Sequence, residues 1–262
     1  MTPEQLPTVV AEARETEVDL AGLVPRYELE SWRDRWGVVA GVTGRGFDLG
    51  LWTREPVGEV VGRWRAFRRG IPGFHATVMA HQVHGADVLW HADASGWVLH
   101  EGADGHGTAA RGVLLAVTIA DCIPVYVWAP DTGAVALLHA GWRGTAGGIL
   151  GRGVALLAER TGADPGAMVV HAGVGICGPC YEVGAEVVTG VGLAADGRGP
   201  WHVDLRARLA AEAERLGIRE VTVSTWCSAH DRGRFYSHRA SGGADGRMVA
   251  YLGVPEGPGD EA

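Results

Sequence analysis

Three short polar clusters interrupt the apolar runs of this chain: His81-Gln82-Val83-His84-Gly85, Thr118-Ile119-Ala120-Asp121-Cys122-Ile123-Pro124 and His139-Ala140-Gly141-Trp142-Arg143-Gly144. Each places groups that are costly to bury unpaired at the end of a hydrophobic segment, so the clusters are expected to meet and satisfy one another. Imidazole and thiolate together suit zinc or another late first-row metal, and three protein ligands with one open position make the catalytic arrangement. The candidates lie far apart and match no finger-type spacing. Spacing alone therefore also leaves Cys122 readable as a small core residue. A second candidate is Cys177-Gly178-Pro179-Cys180. No second Cys-x-x-Cys accompanies it, which leaves a zinc ribbon without support, and a redox pair would need the motif to open a helix after a strand. A tight turn with two semi-buried thiols is favoured. Arg45, between Gly44 and Gly46 at a strand end, can grip an anion bidentately or be a solvated loop arginine. Arg143 is similar, with Trp142 beside it to hold it in place.

The elements that must position these groups are read from pattern. Buried strands are expected at 35–44, 76–80, 86–91, 113–119, 125–128, 134–138 and 168–174, with closing strands at 220–225, 234–238 and 247–251. Helices are expected at 55–69, where Val57, Val60, Val61, Trp64 and Phe67 can share a face, at 145–160, and over a short stretch of 181–191. The clearest helix is 204–216, with Asp204 as N-cap and Gly217 as its stop. Residues 1–34 read as a polar lead-in tacked down by Trp32 and Trp36, residues 35–253 as a single domain, and residues 254–262 as a disordered tail. Strands outnumber helices without a regular βαβ alternation. The expected fold class is therefore α+β, with mixed β-sheets and interspersed helices.

Composition excludes several function classes. The 262 residues are 47% hydrophobic and 21% charged, in the globular range, so they are neither collagen, coiled coil nor wholesale disorder. The chain has no Lys and no Asn, which removes a Schiff-base lysine, a P-loop lysine and N-glycosylation. A net charge of −8 disfavours nucleic acid and anionic membranes as partners. No run of eighteen apolar residues occurs and no basic-then-apolar leader opens the chain. Four cysteines in a chain of this length read as cytosolic thiols, so a cytoplasmic location is expected.

The same clusters resemble the laccase-domain (polyphenol oxidase-like) family, described as purine nucleoside phosphorylases and, in some bacteria, as peptidoglycan editing factors. The resemblance covers about residues 36–252. It rests on Gln82-Val83-His84-Gly85, Ala120-Asp121-Cys122-Ile123-Pro124, His139-Ala140-Gly141-Trp142-Arg143-Gly144 and Cys180-Tyr181-Glu182-Val183. It continues through Asp204-Leu205-Arg206, Trp226-Cys227, Phe235-Tyr236-Ser237-His238-Arg239 and Gly246-Arg247-Met248. The resemblance implies that His84, Cys122 and His139 bind a catalytic zinc, with copper as the alternative metal. It implies that Arg45 stands near phosphate, and that adenosine, inosine and in some members methylthioadenosine are cleaved to free base and sugar 1-phosphate. Hydrolytic deamination of adenosine is a further implied activity. The chain departs from the family pattern at Gly46-Phe47, where a glycine-rich loop is shortened, at Phe47-Asp48-Leu49, at Gly62-Arg63 and at Pro179-Cys180.

The implied phosphorylase has Arg45, Asp121, Cys122 and His139 as catalytic residues, and the implied deamination would use Asp121 or His81 as proton shuttle. His81, Gln82, Arg143 and Cys180 are the expected substrate contacts. The expected partners are small purine nucleosides and phosphate, and the oligomeric state is left open. Three rivals stand beside this reading. A copper polyphenol oxidase of the multicopper kind would use His-x-His pairs, and none occurs among the 11 histidines. A hydrolase of peptidoglycan precursors would use Cys122 as nucleophile and His139 as base. The third is a non-catalytic binding module.

Overall fold

The computed structural model describes residues 9–18, 24–53 and 55–257. Chain order runs β1 (Val9–Ala13), β2 (Thr16–Val18), β3 (Arg26–Glu28), α1 (Glu30–Trp36), β4 (Val39–Thr43), α2 (Val57–Arg69) and β5 (Ala76–His81). It continues with β6 (Val88–His91), β7 (Gly96–Glu101), β8 (Gly105–Thr108), β9 (Val113–Ile119), β10 (Ile123–Ala129) and β11 (Ala134–Ala140). Then come α3 (Trp142–Ala146), α4 (Ile149–Thr161), β12 (Val169–Ala172), β13 (Glu182–Val183), α5 (Ala185–Gly190), β14 (Trp201–His202), α6 (Leu205–Arg215), β15 (Glu220–Ser224) and β16 (Met248–Gly253).

Two seven-stranded mixed sheets form, in the orders β1-β15-β12-β10-β11-β8-β6 and β2-β3-β4-β16-β9-β5-β7. Their inner faces share one core, in which Leu115 and Val117 of β9 lie with Tyr126 of β10 and Leu137 of β11. The outer face of the first sheet is covered by α4 and α6, where Val125 and Leu138 meet Leu150, Val154 and Leu209. The outer face of the second is covered by α2, where Leu114, Ala116 and Tyr251 meet Val60, Trp64 and Phe67. All seven residues of β10 and of β11 are buried, which is why both read as unbroken apolar runs. The fold is a mixed α+β, as expected.

The architecture fixes where polar residues gather. Strands β5 and β9 are parallel neighbours in the second sheet, so both end at the same edge. From there the chain crosses twice to the first sheet, through 82–87 into β6 and through 120–122 into β10. Strand β11 pairs antiparallel with β10, with Ala140 opposite Ile123, which returns its last residues to that edge. The three polar clusters of the sequence are these three strand ends.

Several expected elements differ. The 145–160 helix is two helices, α3 and α4, broken where Gly148 adopts φ of 70°. Only Glu182–Val183 and Ala185–Gly190 of 181–191 are regular, as a short strand and a one-turn helix. Residues 234–238 form no strand: Arg234 and Phe235 donate their amides back to the Asp231 carbonyl in a turn. Strands β7 and β8 were not expected, because Gly96–Glu101 and Gly105–Thr108 carry little apolar periodicity. For α6 the Asp204 carboxylate accepts from the amides of Arg206 and Ala207 at 2.9 and 3.1 Å, as an N-cap should. The expected disordered tail lies in part at 258–262, outside the described residues.

The stretch before residue 35 supplies β1, β2 and β3, and β1 pairs in parallel with β15. Its anchor is Glu15, 1% exposed. Its carboxylate meets His171 Nε2 at 3.0 Å and accepts from Ser224 Oγ at 2.7 Å. Burial opposes ionisation of Glu15, but these partners outweigh it and hold the carboxyl below its ordinary range. Removing one member of a buried pair leaves the other uncompensated, at ~3–5 kcal/mol. Glu15→Ala is therefore expected to lower unfolding free energy by about that amount in urea titration; a loss below ~0.5 kcal/mol, the level of an unremarkable surface change, would mean that this segment does not hold the sheets together.

Candidate metal centre and substrate cleft

The donor atoms of His84, Cys122 and His139 lie within 4.8 Å of one another. Each comes from a different strand end: His84 from the β5–β6 crossing, Cys122 from the β9–β10 crossing and His139 from β11. Both crossings contain a non-glycine residue with positive φ, His84 at 59° and Asp121 at 86°. Such backbone is costly for residues with a side chain and persists where surrounding contacts impose it. Close approach matters too: a Cβ on Gly141 would stand 3.0 Å from Cys122 Sγ.

One buried carboxylate organises the set. Asp104, fully buried, precedes β8. It accepts from the backbone amides of Val83, His84 and Gly85 at 3.2, 3.0 and 2.7 Å, which shapes the loop bearing His84. Its Oδ1 also receives His139 Nδ1–H at 2.8 Å, leaving Nε2 as the donor atom of His139. Burial raises the Asp104 carboxyl, but the His139 and backbone hydrogen bonds outweigh it and the net shift is downward. For Cys122, burial opposes the thiolate, while His139 and His84 favour it and bring it down to about 6. For His139, burial opposes the cation, while the Cys122 thiolate and Asp104 favour it and carry it up to about 9. A thiolate with two imidazoles, one of them fixed by a carboxylate behind it, fits a late first-row divalent metal with one position left open. Multicopper clusters need several such groups of histidines. Among the described residues two His/Cys/Asp/Glu groups with converging donor atoms occur, this one and a cysteine-rich one.

The set opens into a cleft of about 1140 Å³. Its wall includes His81, Trp52, Trp142 and Tyr181, and its arginines are Arg143, Arg239 and Arg247. Trp52, half exposed, stacks on His81 with ring centroids 4.3 Å apart, and His81 Nδ1 meets Glu101 at 3.1 Å. Arg143 lies over the Trp142 ring at 4.4 Å, and the Arg239 guanidinium donates to the Glu182 carbonyl.

The other expected site residues divide, Gln82 and Asp121 lining the cleft and Arg45 and Cys180 lying outside its lining. Gln82 lines the cleft, but its amide is committed to Thr118: Nε2 donates to the carbonyl, and Oε1 accepts from the amide and the hydroxyl. Asp121 also lines the cleft with both oxygens engaged, Oδ1 by Ser228 Oγ and Oδ2 by the Arg239 amide, each at 2.6 Å. Arg45 is not among the lining residues. Its guanidinium is paired with Asp245 at 2.5 Å and lies over the Tyr236 ring, so it braces the loop that forms the cleft wall. Cys180 does not line the cleft either; its thiol stands beside His230, with Cys177 and Cys227. Sequence reasoning missed Asp104 and Trp52. Asp104 sits in the glycine-rich stretch Glu101-Gly102-Ala103-Asp104-Gly105, where no period marks it, and Trp52 lies in an irregular loop.

The profile of the multi-copper polyphenol oxidoreductase laccase family matches residues 32–255. A purine nucleoside phosphorylase of Deinococcus radiodurans is 40% identical over 193 residues, 70% of this chain and 73% of the relative. A protein named adenosine deaminase RL5, from an unknown prokaryotic organism, is 33% identical over 159 residues, 56% of this chain and 60% of its own. The crystal structure of YlmD from Geobacillus stearothermophilus superposes with a TM-score of 0.80 at 30% identity, covering 92% of this chain and 100% of that one. With the profile spanning most of its length and three strand ends meeting as they do, the chain belongs to the multi-copper polyphenol oxidoreductase laccase family, whose relatives include proteins named purine nucleoside phosphorylase.

Proposed function

We propose that the chain is a zinc-dependent purine nucleoside phosphorylase, cleaving adenosine or inosine with phosphate to free base and ribose 1-phosphate. The observation that carries this is the His84–Cys122–His139 set at the floor of a cleft walled by aromatic rings and arginines. Relatives named purine nucleoside phosphorylase support the reaction class. Methylthioadenosine is a candidate substrate of the same cleft.

In phosphorolysis a phosphate oxygen bonds to C1′ of the ribose while the C1′–N9 bond breaks and its electron pair leaves with the base. His84, Cys122 and His139 would hold a divalent metal, which when bound would supply a Lewis acid in the cleft. The chain's own groups do the rest. Arg143 and Arg239 provide the positive charge for phosphate, since lysine is absent. The Trp52–His81 stack offers a flat apolar surface to the purine. With its Nδ1–H held by Glu101, His81 in its imidazolium form carries a second proton on Nε2, which passes to the departing base and leaves the ring neutral. Asp121 keeps the Arg239 backbone in place through its amide. Arg45 acts through Asp245 on the cleft wall.

Adenosine deamination is the second reading, supported by the relative named for that activity. It needs water and no phosphate, so the two reactions separate by product. Adenosine incubated with phosphate is expected to give adenine and sugar phosphate, and Cys122→Ala is expected to lose bound metal and turnover together. Inosine as the sole product, unchanged by phosphate, would replace the phosphorylase reading with the deaminase one. Full turnover in Cys122→Ala would remove the metal from the account.

The arginines divide in the same assay. Loss of a charge-assisted contact costs ~1.5–3 kcal/mol, so Arg143→Ala and Arg239→Ala are each expected to raise the KM for phosphate by roughly ten- to a hundred-fold. Arg45→Ala is expected to lower thermal stability and affect nucleoside and phosphate constants alike. A selective phosphate defect in Arg45→Ala, with Arg143→Ala unaffected, would place the anion on Arg45.

A further inference from the structure

A second donor set lies outside the cleft floor. Cys177, Cys180, Cys227 and His230 place one donor atom each within 4.8 Å of one another. His230 Nδ1 is 3.5 Å from Cys177 Sγ and 3.7 Å from Cys180 Sγ. Donor atoms around a tetrahedral zinc, with Zn–S near ~2.3 Å and Zn–N near ~2.0 Å, stand roughly 3.5–3.8 Å apart. The spacing is Cys-x-x-Cys followed by Cys-x-x-His, two short pairs on two separate turns. A second Cys-x-x-Cys is absent because the closing pair ends in histidine.

The backbone is arranged for such a site. Cys177-Gly178-Pro179-Cys180 folds into a single 3-10 turn, with the Cys180 amide donating to the Cys177 carbonyl. The Cys177 amide points at Cys227 Sγ at 3.3 Å, a contact suited to a thiolate. The Cys227 amide donates to Asp231 Oδ2, and Asp231 donates its own amide to the Cys227 carbonyl, which closes the second turn. Gly175 and Cys227 form an isolated parallel bridge, so the two turns are held side by side.

We infer that Cys177, Cys180, Cys227 and His230 form a second, structural zinc site, with all four positions filled by protein. Three cysteine sulfurs and one imidazole nitrogen converge on one point from two turns, and a closed Cys3His set suits zinc in a structural role, the metal holding the sulfurs as thiolates. The zinc staples the turn after β12 to the turn after β15. Both turns reach the cleft. Tyr181 follows Cys180 directly and lines the wall, and Ser228 follows Cys227 and donates to Asp121. The staple therefore sets the position of one cleft wall without touching substrate. This site is independent of which reaction the cleft carries out.

Metal content of the whole chain tests it. Wild type is expected to hold about two zinc ions per chain, Cys122→Ala about one and Cys180→Ser about one, each variant losing a different ion. Turnover should collapse in Cys122→Ala, whereas Cys180→Ser should keep kcat within a few-fold and lose chiefly thermal stability and substrate KM. If Cys180→Ser does not fold, cobalt loading decides the question. Cys122→Ala reconstituted with cobalt should keep most of the wild-type thiolate-to-cobalt charge-transfer absorption, because three of the four thiolates remain. Disappearance of that band in Cys122→Ala would overturn the site. So would a wild type with one metal, all of it lost in Cys122→Ala, or a disulfide between Cys177 and Cys180 in the protein purified without oxidant.

Discussion

The carboxylate of Asp104 is the interaction on which the candidate metal centre depends. It is fully buried, and burial alone would strongly disfavour its charge. Three backbone amides from residues 83–85 and the Nδ1–H of His139 compensate it. The three amides shape the loop that presents His84, and the fourth bond selects the tautomer of His139 and fixes its ring. One side chain thus links a crossing loop to the end of β11. Without it the two imidazoles would have no common reference. Cys122 then needs only the register of β10 on β11, where Pro124 pairs with His139, to join them.

The placement of the site follows from how the two sheets share chain. Each crossing from the second sheet to the first must turn sharply at the same edge, and the left-handed conformations of His84 and Asp121 make those turns. Asp121 is held there by Ser228 and by the Arg239 amide. Strain of this kind costs ~1–3 kcal/mol per residue and is kept where the contacts around it over-determine the backbone. Here those contacts also aim Cys122 and His84 at one point. The large buried area of the two-sheet core can carry that cost, since each fully buried Leu or Val contributes ~1.5–3 kcal/mol.

What the sequence made legible follows from periodicity and residue chemistry. The unbroken runs at 113–119 and 134–138 announce strands buried on both faces, and the polar residues at their ends had to be functional or paired. That logic marked the three clusters; it was the family resemblance that singled out His84, Cys122 and His139, whose donor atoms the fold brings together. It could not find Asp104, whose importance comes from atoms 19–35 positions away and whose own neighbours are glycines. Arg45 looked like an anion ligand because a sequence does not reveal that Asp245, 200 residues on, already occupies its guanidinium. The partners of Gln82 and Cys180, Thr118 and His230, were equally invisible because they are distant in the chain. The stretch before 35 read as peripheral because strands of three to five residues carry too little pattern to register. Residues 234–238 alternate like a strand, yet hydrogen bonds to Asp231 curl them into a turn.

The central claim is that Asp104 preorganises the donor set, and calorimetric titration of zinc into the metal-stripped Asp104→Asn variant, with wild type alongside, tests it most directly. Asparagine keeps the size of the side chain, but its neutral oxygen is a weaker acceptor and its NH2 group cannot accept an amide. The account predicts binding at the His84–Cys122–His139 site weaker by about 10–100-fold, the range for loss of a carboxylate behind a ligating histidine. Affinity equal to that of wild type would contradict it.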